Sequence, residues 1–317
     1  MGHHWTADDM PNQAGRRAIV TGANSGIGYY AALELARKGA HVLLACRDRA
    51  RGDAALARLR AKAPNASAEV VPLDLASLAS VREFAADELK RGVPLDPLIN
   101  NAGVMAPKKR LETKDGFELQ FGTNVLGHFA LTTLLFPALV RAAESRPEPP
   151  RVVTIASIAH KQGRLNFDDL QSARGYNPMG AYRQSKLANV MFALELDRRV
   201  RAAGLPTARI LSVAAHPGVA NTNLFQVGEY GKVEKLIRRG FGVLIETFLN
   251  SEYAGALPTL YAATAPEAQS GAYYGPVGFQ EMRGEVGNAT IARQAGDAAA
   301  AARLWNECER LTGTKLL

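Results

Sequence analysis

Strand-length apolar runs alternate with helix-length segments over the first two thirds of this 317-residue chain, and that alternation leaves few folds open. The runs fall at residues 18–20, 42–45, 70–73, 98–99, 152–155 and 210–213. Between them, residues 29–38, 50–62, 78–90, 117–143 and 181–202 carry apolar side chains at helical spacing. Strands joined by crossover helices pair in parallel, and a parallel sheet covered on both faces has strands that are apolar throughout rather than at alternate positions. The expected class is α/β, a doubly wound parallel sheet of about seven strands flanked by helices. Pro147, Pro149 and Pro150 mark a loop feeding the fifth strand, while Gly39, Gly92 and Gly204 stand where helix C-caps belong. With no internal repeat and no long linker, the chain reads as a short extension (residues 1–14) before one domain (residues 15–317).

Composition excludes several classes. With 47% hydrophobic and 21% charged residues the chain is an ordinary globular protein, not a disordered one. The formal charge of +8 raises nucleic acid as a partner. However, the basic residues are scattered among acidic ones without aromatic interleaving, so no nucleic-acid binding is expected. Cys46 and Cys308 fit neither a disulfide framework nor a metal-ligand spacing, and no metal site is expected. No apolar run reads as long enough to cross a bilayer, and MGHHWTADDM has no cationic segment leading into an apolar one. The expected location is cytoplasmic.

Two motifs carry chemistry. Directly after the first strand, Thr21-Gly22-Ala23-Asn24-Ser25-Gly26-Ile27-Gly28 opens a helix. Glycines there permit a tight turn and close backbone approach to a pyrophosphate, whose charge is favoured by the free N–H groups at the helix start. Further on, Tyr182-Arg183-Gln184-Ser185-Lys186 puts a phenol and an ammonium one helical turn apart. A free phenol, with a pKa of about 10, is a poor acid or base near neutrality. A lysine charge about 5 Å away, at an effective dielectric of about 20, would favour the phenolate by roughly 3 kcal/mol. That is enough to poise Tyr182 for proton transfer. Taken alone, the same pattern also arises on solvated helix faces.

Three residues between Gly22 and Gly26 is the spacing of the short-chain dehydrogenase/reductase family, and other elements follow in that family's order. Asp74-Leu75 resembles its adenine-contacting pair, and Asn100-Asn101-Ala102-Gly103 its signature after the fourth strand. Asn124, Ser157, Tyr182 and Lys186 match its catalytic positions. His216-Pro217-Gly218-Val219, followed by Thr222, matches its nicotinamide-side segment. Within the family, Ala45-Cys46-Arg47-Asp48, Ser157-Ile158-Ala159-His160 and Tyr182-x-x-Ser185-Lys186-Leu187-Ala188-Asn189 look like retinol-dehydrogenase-like members and their bacterial relatives. The resemblance covers residues 15–275 and implies a Rossmann-type fold and hydride transfer between a nicotinamide and a small lipophilic alcohol, aldehyde or ketone.

By that resemblance, Ser157 holds the substrate oxygen, Tyr182 moves its proton, Lys186 lowers the phenol pKa and holds the nicotinamide ribose, and Asn124 fixes a water. Gly22, Asn24, Ser25, Gly26, Ile27, Gly28, Arg47, Asp74, Leu75, Asn101, Ala102, Gly103, Pro217, Gly218, Val219 and Thr222 would line the cofactor, joined by Tyr182 and Lys186. NAD-preferring relatives carry an acid where this chain has the neutral Cys46, and Arg47 follows it; an arginine can grip a 2′-phosphate. NADP(H) is therefore expected over NAD(H), with Asp48 as a residue that could neutralise Arg47. His216 reads as shaping its turn, His160 as a loop histidine, and Cys46 as a core residue.

After Pro217 the alternation changes. Residues 219–250 read as a substrate lid, and within residues 231–249 Lys232, Lys235, Arg238 and Arg239 lie beside Leu236, Ile237, Phe241, Leu244, Ile245 and Phe248. Such a basic amphipathic segment equally suits a partner or a peripheral membrane contact. Residues 276–317 read as a C-terminal extension. Relatives assemble as dimers or tetramers through the long helices, contacts that such an extension can block. The competing classes are a regulator that senses cofactor redox state, which has no need of the catalytic set, and a membrane-associated lipid-metabolising reductase.

Overall fold

The computed structural model describes residues 4–219 and 250–316. Its elements run β1 Arg17–Thr21, α1 Gly26–Arg37, β2 His41–Cys46, α2 Arg49–Lys62, β3 Ala68–Pro72, α3 Leu78–Lys90, β4 Leu98–Asn100, α4 Leu119–Ser145, β5 Arg151–Ile155, α5 Pro178–Ala202, β6 Leu211–Ala215, α6 Glu252–Thr264, β7 Tyr273–Pro276, β8 Val286–Asn288 and α7 Ala298–Thr312. The strand order is β3-β2-β1-β4-β5-β6-β7-β8. All neighbouring pairs are parallel except β7 with β8. The chain thus winds outward from β1 in one direction and from β4 in the other, which opens a crevice at the carboxyl ends of both strands.

The expected doubly wound sheet is present, with β8 as an added antiparallel edge. Val-Gly-Asn is too short and too polar to announce a strand, and its pairing with Tyr273–Pro276 makes it one. Along β1, Ile19 packs on one face while Ala18 and Val20 pack on the other; Leu43 is likewise opposed to Val42 and Leu44. Strand side chains alternate between faces, so continuous apolar runs imply a core on each side. One core joins α3, α4, α5 and α7, and the other joins α1, α2 and α6.

One feature departs from the sequence reading. Helix α4 is, by length and composition, apolar enough to cross a membrane, contrary to the expectation that no segment would be. It is apolar because most of it is buried, between the sheet, α3 and α7, as the central helix of one core. The C-terminal extension packs into that core. Asp297 caps α7 by accepting the Ala300 N–H, and Gly313 closes it in the left-handed region. Between those ends Trp305 is buried, stacked on Phe192 at 5.7 Å and edge-on to Phe129 at 4.9 Å. The Arg199 guanidinium lies 4.5 Å from the Trp305 ring. At the other end of the chain, Ala7 and Met10 are buried and Trp5 meets Tyr261 edge-on at 5.3 Å.

Trp305→Ala should lower unfolding free energy by about 3–5 kcal/mol, the range for emptying a large aromatic site. Urea unfolding checks this; a loss under about 1 kcal/mol would show α7 to be peripheral.

Candidate active site

A cleft of about 350 Å³ opens at the carboxyl ends of β1 to β4. The expected cofactor residues Gly22, Asn24, Ser25, Gly26, Ile27, Gly28, Arg47, Asp74, Leu75, Asn101, Ala102 and Gly103 all line it. Gly22 takes a φ of +67°. At Gly28 a methyl group would overlap Asn101 Nδ2 and lie 2.7 Å from the Gly22 carbonyl, so only glycine lets α1 start this close to the loop. Ser25, at the N-cap, makes no side-chain capping bond, which leaves the first-turn N–H groups for an anion. These features fit a dinucleotide pyrophosphate.

At the adenosine end, Arg47 is exposed at the cleft rim. Asp48, the candidate neutraliser, is engaged elsewhere: its Oδ1 caps α2 by accepting the Arg51 N–H at 3.0 Å. Arg51 also lines the cleft, and sequence reasoning missed it. The available signal was a second arginine four residues after Arg47, in the first turn of α2.

Behind the cleft, the Thr21 hydroxyl accepts the N–H groups of Asn101 and Ala102, each at 2.9 Å. It also lies 2.9 Å from His128 Nε2. His128 Nδ1 contacts the Asn124 carbonyl at 3.1 Å, and since a carbonyl only accepts, the ring proton is on Nδ1. Thr21 therefore donates to Nε2. Asn124 belongs to a π-helical turn, Gly122–Leu126, inside α4. Its side chain accepts the Val104 N–H at 2.8 Å and donates to the Val104 carbonyl and Ser185 Oγ, both at 3.0 Å.

Ser157 follows β5, Tyr182 and Lys186 lie on α5, and Lys186 meets Asn124 at Gly103, where a methyl group would lie 3.4 Å from Asn124 Oδ1 and 3.7 Å from Lys186 Nζ. Burial raises the Tyr182 pKa, and a hydrogen bond with the Ser157 side chain opposes that rise. Burial lowers Lys186 to about 8. Lys186 Nζ donates to the Ile155 carbonyl at 2.9 Å and lies 5.8 Å from the Tyr182 ring centre. The Tyr182 pKa is thus raised where the lysine was expected to lower it: removal of the phenol from water dominates, and Lys186, bonded to the Ile155 carbonyl, is not among the groups that shift it. Cys46 is buried with its thiol pushed up to about 11, as befits a core residue. Pro217, Gly218 and Val219 follow β6, beyond the cleft lining. Thr222 and the lid segment 231–249 lie outside the described residues.

Residues 16–229 match the family profile for short chain dehydrogenases, which is more than half of the chain. The chain belongs to the short-chain dehydrogenase/reductase family. It is an oxidoreductase of the alcohol-dehydrogenase type, and that family works with NAD(P)(H). Among curated relatives, mouse (Mus musculus) polyprenol dehydrogenase is 44% identical over 304 residues, covering 96% of this chain and 86% of the relative. Human (Homo sapiens) retinol dehydrogenase 13 is 42% identical over 315 residues, covering 97% and 88%. These likenesses make the chain retinol-dehydrogenase-like. A crystal structure of an uncharacterized protein from Mycobacterium paratuberculosis superposes with a TM-score of 0.78 at 42% identity, covering 99% of this chain and 100% of the other.

The buried histidines make stability depend on pH. Burial lowers His128 and His216 to about 4 and also lowers His160. Below the unfolded value of about 6.5 the unfolded chain takes up protons that the folded chain refuses, so stability rises with pH across this window. Asp96 acts oppositely, because burial raises it to about 6 even though Arg16 lies 2.6 Å away. Burial raises Glu118 as well, but the three histidines, together with the lowered Glu69 and Glu281, outweigh the two raised carboxyls. The urea midpoint should therefore climb from about pH 4.5 to about pH 6.5 and then level. A profile that falls across that interval would contradict the neutral assignment.

Proposed function

We propose that this chain is an NADP(H)-dependent alcohol dehydrogenase or carbonyl reductase acting on a lipophilic alcohol, aldehyde or ketone. The observation that carries the reading is the pair of buried side chains Tyr182 and Lys186, one turn apart on α5, with Lys186 Nζ beside Gly103 at the inner end of a dinucleotide-shaped cleft. A nicotinamide cofactor held in this cleft would supply or accept the hydride. Ser157 bonds the substrate oxygen as charge develops on it, and Tyr182 gives or takes the proton at that oxygen. Lys186 holds the nicotinamide ribose, and its charge favours the phenolate when one must form. Asn124 holds a water that connects Lys186 to solvent. A lipophilic substrate follows from relatives whose names specify polyprenol and retinol. Assembly through α4 and α5, as in relatives, has to use what α7 leaves uncovered.

NADP(H) preference rests on Arg47 and Arg51 at the cleft, the neutral Cys46, and the engagement of Asp48 in capping α2. Two cations close to a 2′-phosphate bind it with charge-assisted hydrogen bonds.

Tyr182→Phe should reduce turnover of a retinoid or polyprenyl aldehyde by about a thousandfold. Its NADPH affinity should stay within about twofold of wild type, because the lost hydroxyl acts on the substrate rather than on cofactor binding. Retained turnover in the folded variant would remove the assignment. Arg47→Asp should shift the NADPH-to-NADH affinity ratio toward NADH by about tenfold or more. Fluorescence titration with both cofactors reads this, and a wild type that binds NADH more tightly than NADPH reverses the preference.

A further inference from the structure

A buried polar cluster joins the C-terminal part of the chain to the segment after β6. His216 is fully buried, its ring 5.1 Å from that of Tyr273. The Gly218 N–H donates to His216 Nδ1 at 3.1 Å, so the proton of the neutral ring is on Nε2. Nε2 faces Glu281 Oε2 at 3.4 Å. Gly275 admits the ring, since a methyl group on Gly275 would overlap Nε2. Lys161 Nζ lies 2.8 Å from that same Glu281 Oε2, and the Thr290 N–H donates to Oε1 at 2.9 Å. Gln280 and Glu281 both have left-handed φ, +50° and +59°, which persist in non-glycine residues only where the surroundings hold them.

The backbone beside this contact is tied as well. The Val219 N–H donates to the Met282 carbonyl at 2.9 Å, and Asn250 Nδ2 donates to the carbonyls of Pro217 and Met282, both at 3.1 Å. The charged and titratable groups facing the cluster are Lys161, His160, His216, Tyr273 and Glu281. Glu281 is the carboxylate that faces Nε2, and because a carboxylate only accepts, it favours the same tautomer that the Gly218 N–H requires. With that acceptor gone, the ring is free to carry its proton on Nδ1, where it would oppose the Gly218 N–H donor to donor.

We propose that Glu281 is a positioning residue for the nicotinamide half of the cofactor site, acting through His216 on the Pro217-Gly218 turn. This rests on the dinucleotide reading of the cleft. It makes Glu281, on a segment far from the glycine loop, a determinant of how the reactive end of the cofactor is held.

The test compares two ligands on the full chain. NADPH has both halves of the cofactor, while 2′,5′-ADP has only the phosphorylated adenosine half. Glu281→Ala should weaken NADPH about tenfold and leave 2′,5′-ADP within about twofold. Glu281→Gln retains an acceptor for Nε2–H and should fall between Ala and wild type; it carries the same comparison where the alanine variant does not fold. Unchanged NADPH affinity in folded variants overturns the proposal, and so does equal weakening of both ligands, which would mean general loosening. Where the wild type prefers NADH, NADH and ADP form the pair. A wild type that binds NADPH but reduces no carbonyl removes the catalytic reading and leaves this comparison intact; one that binds neither cofactor overturns both.

Discussion

One hydroxyl, on Thr21, is the point through which the parts of this site are held in register. It accepts two backbone N–H groups from the turn after β4 and donates to a histidine of α4. The last residue of β1 thereby fixes where the fourth strand lets go and how α4 approaches the sheet. Thr21 and His128 are buried, so leaving either unpaired costs about 1–3 kcal/mol, and the arrangement persists as a unit rather than as separate bonds. The direction of each bond is also determined. Backbone donors above and a carbonyl below leave His128 with a single neutral tautomer, and burial keeps it neutral down to about pH 4.

The π turn of α4 makes this connection reach the chemistry. Inside an ordinary helix the Asn124 carbonyl would be taken by a backbone N–H one turn on. With the Gly127 N–H bonding back to Gly122, the ladder is offset, and the carbonyl meets the His128 side chain. Single π turns of this kind concentrate at functional sites because they redirect one residue without ending the helix. Here that residue is Asn124, whose side chain clamps Val104 beside Gly103 and so fixes the backbone facing Lys186. A strand end, a π turn in a helix and a glycine-lined loop are thus one mechanical assembly.

Much of this was legible in the chain because its signals are local. Apolar runs of strand length at residues 18–20 or 152–155, and the glycines of residues 22–28, act on their own neighbourhoods, and the structure has them as expected. What could not be read acts between distant segments or through burial. His128 looks like any helical histidine until Thr21 and Asn124 lie on either side of it. Glu281 gains meaning only when β7 brings it to His216. β8 exists because β7 offers an edge, and α4 looks like a membrane span because a central core helix has the same composition as one. The Tyr182 phenol went the other way from expectation for the same reason: spacing specifies a neighbouring ammonium but not how much water is removed.

The opposed shifts of Tyr182 and Lys186 say something about direction. Burial moves the phenol up and the ammonium down, so both groups move toward their uncharged forms. A neutral phenol is the proton donor that carbonyl reduction requires, and the folded chain holds Tyr182 in that form without help. Alcohol oxidation instead requires a phenolate, which burial opposes and which a protonated Lys186 must support. With Lys186 near 8, that support is present at neutral pH and fades as pH rises through the lysine value, while the phenol itself demands higher pH to ionise. The two requirements for oxidation therefore pull against each other, whereas reduction needs only the phenol. On the proposed reading, the protein part of the site is better prepared at neutral pH for reducing a carbonyl than for oxidising an alcohol.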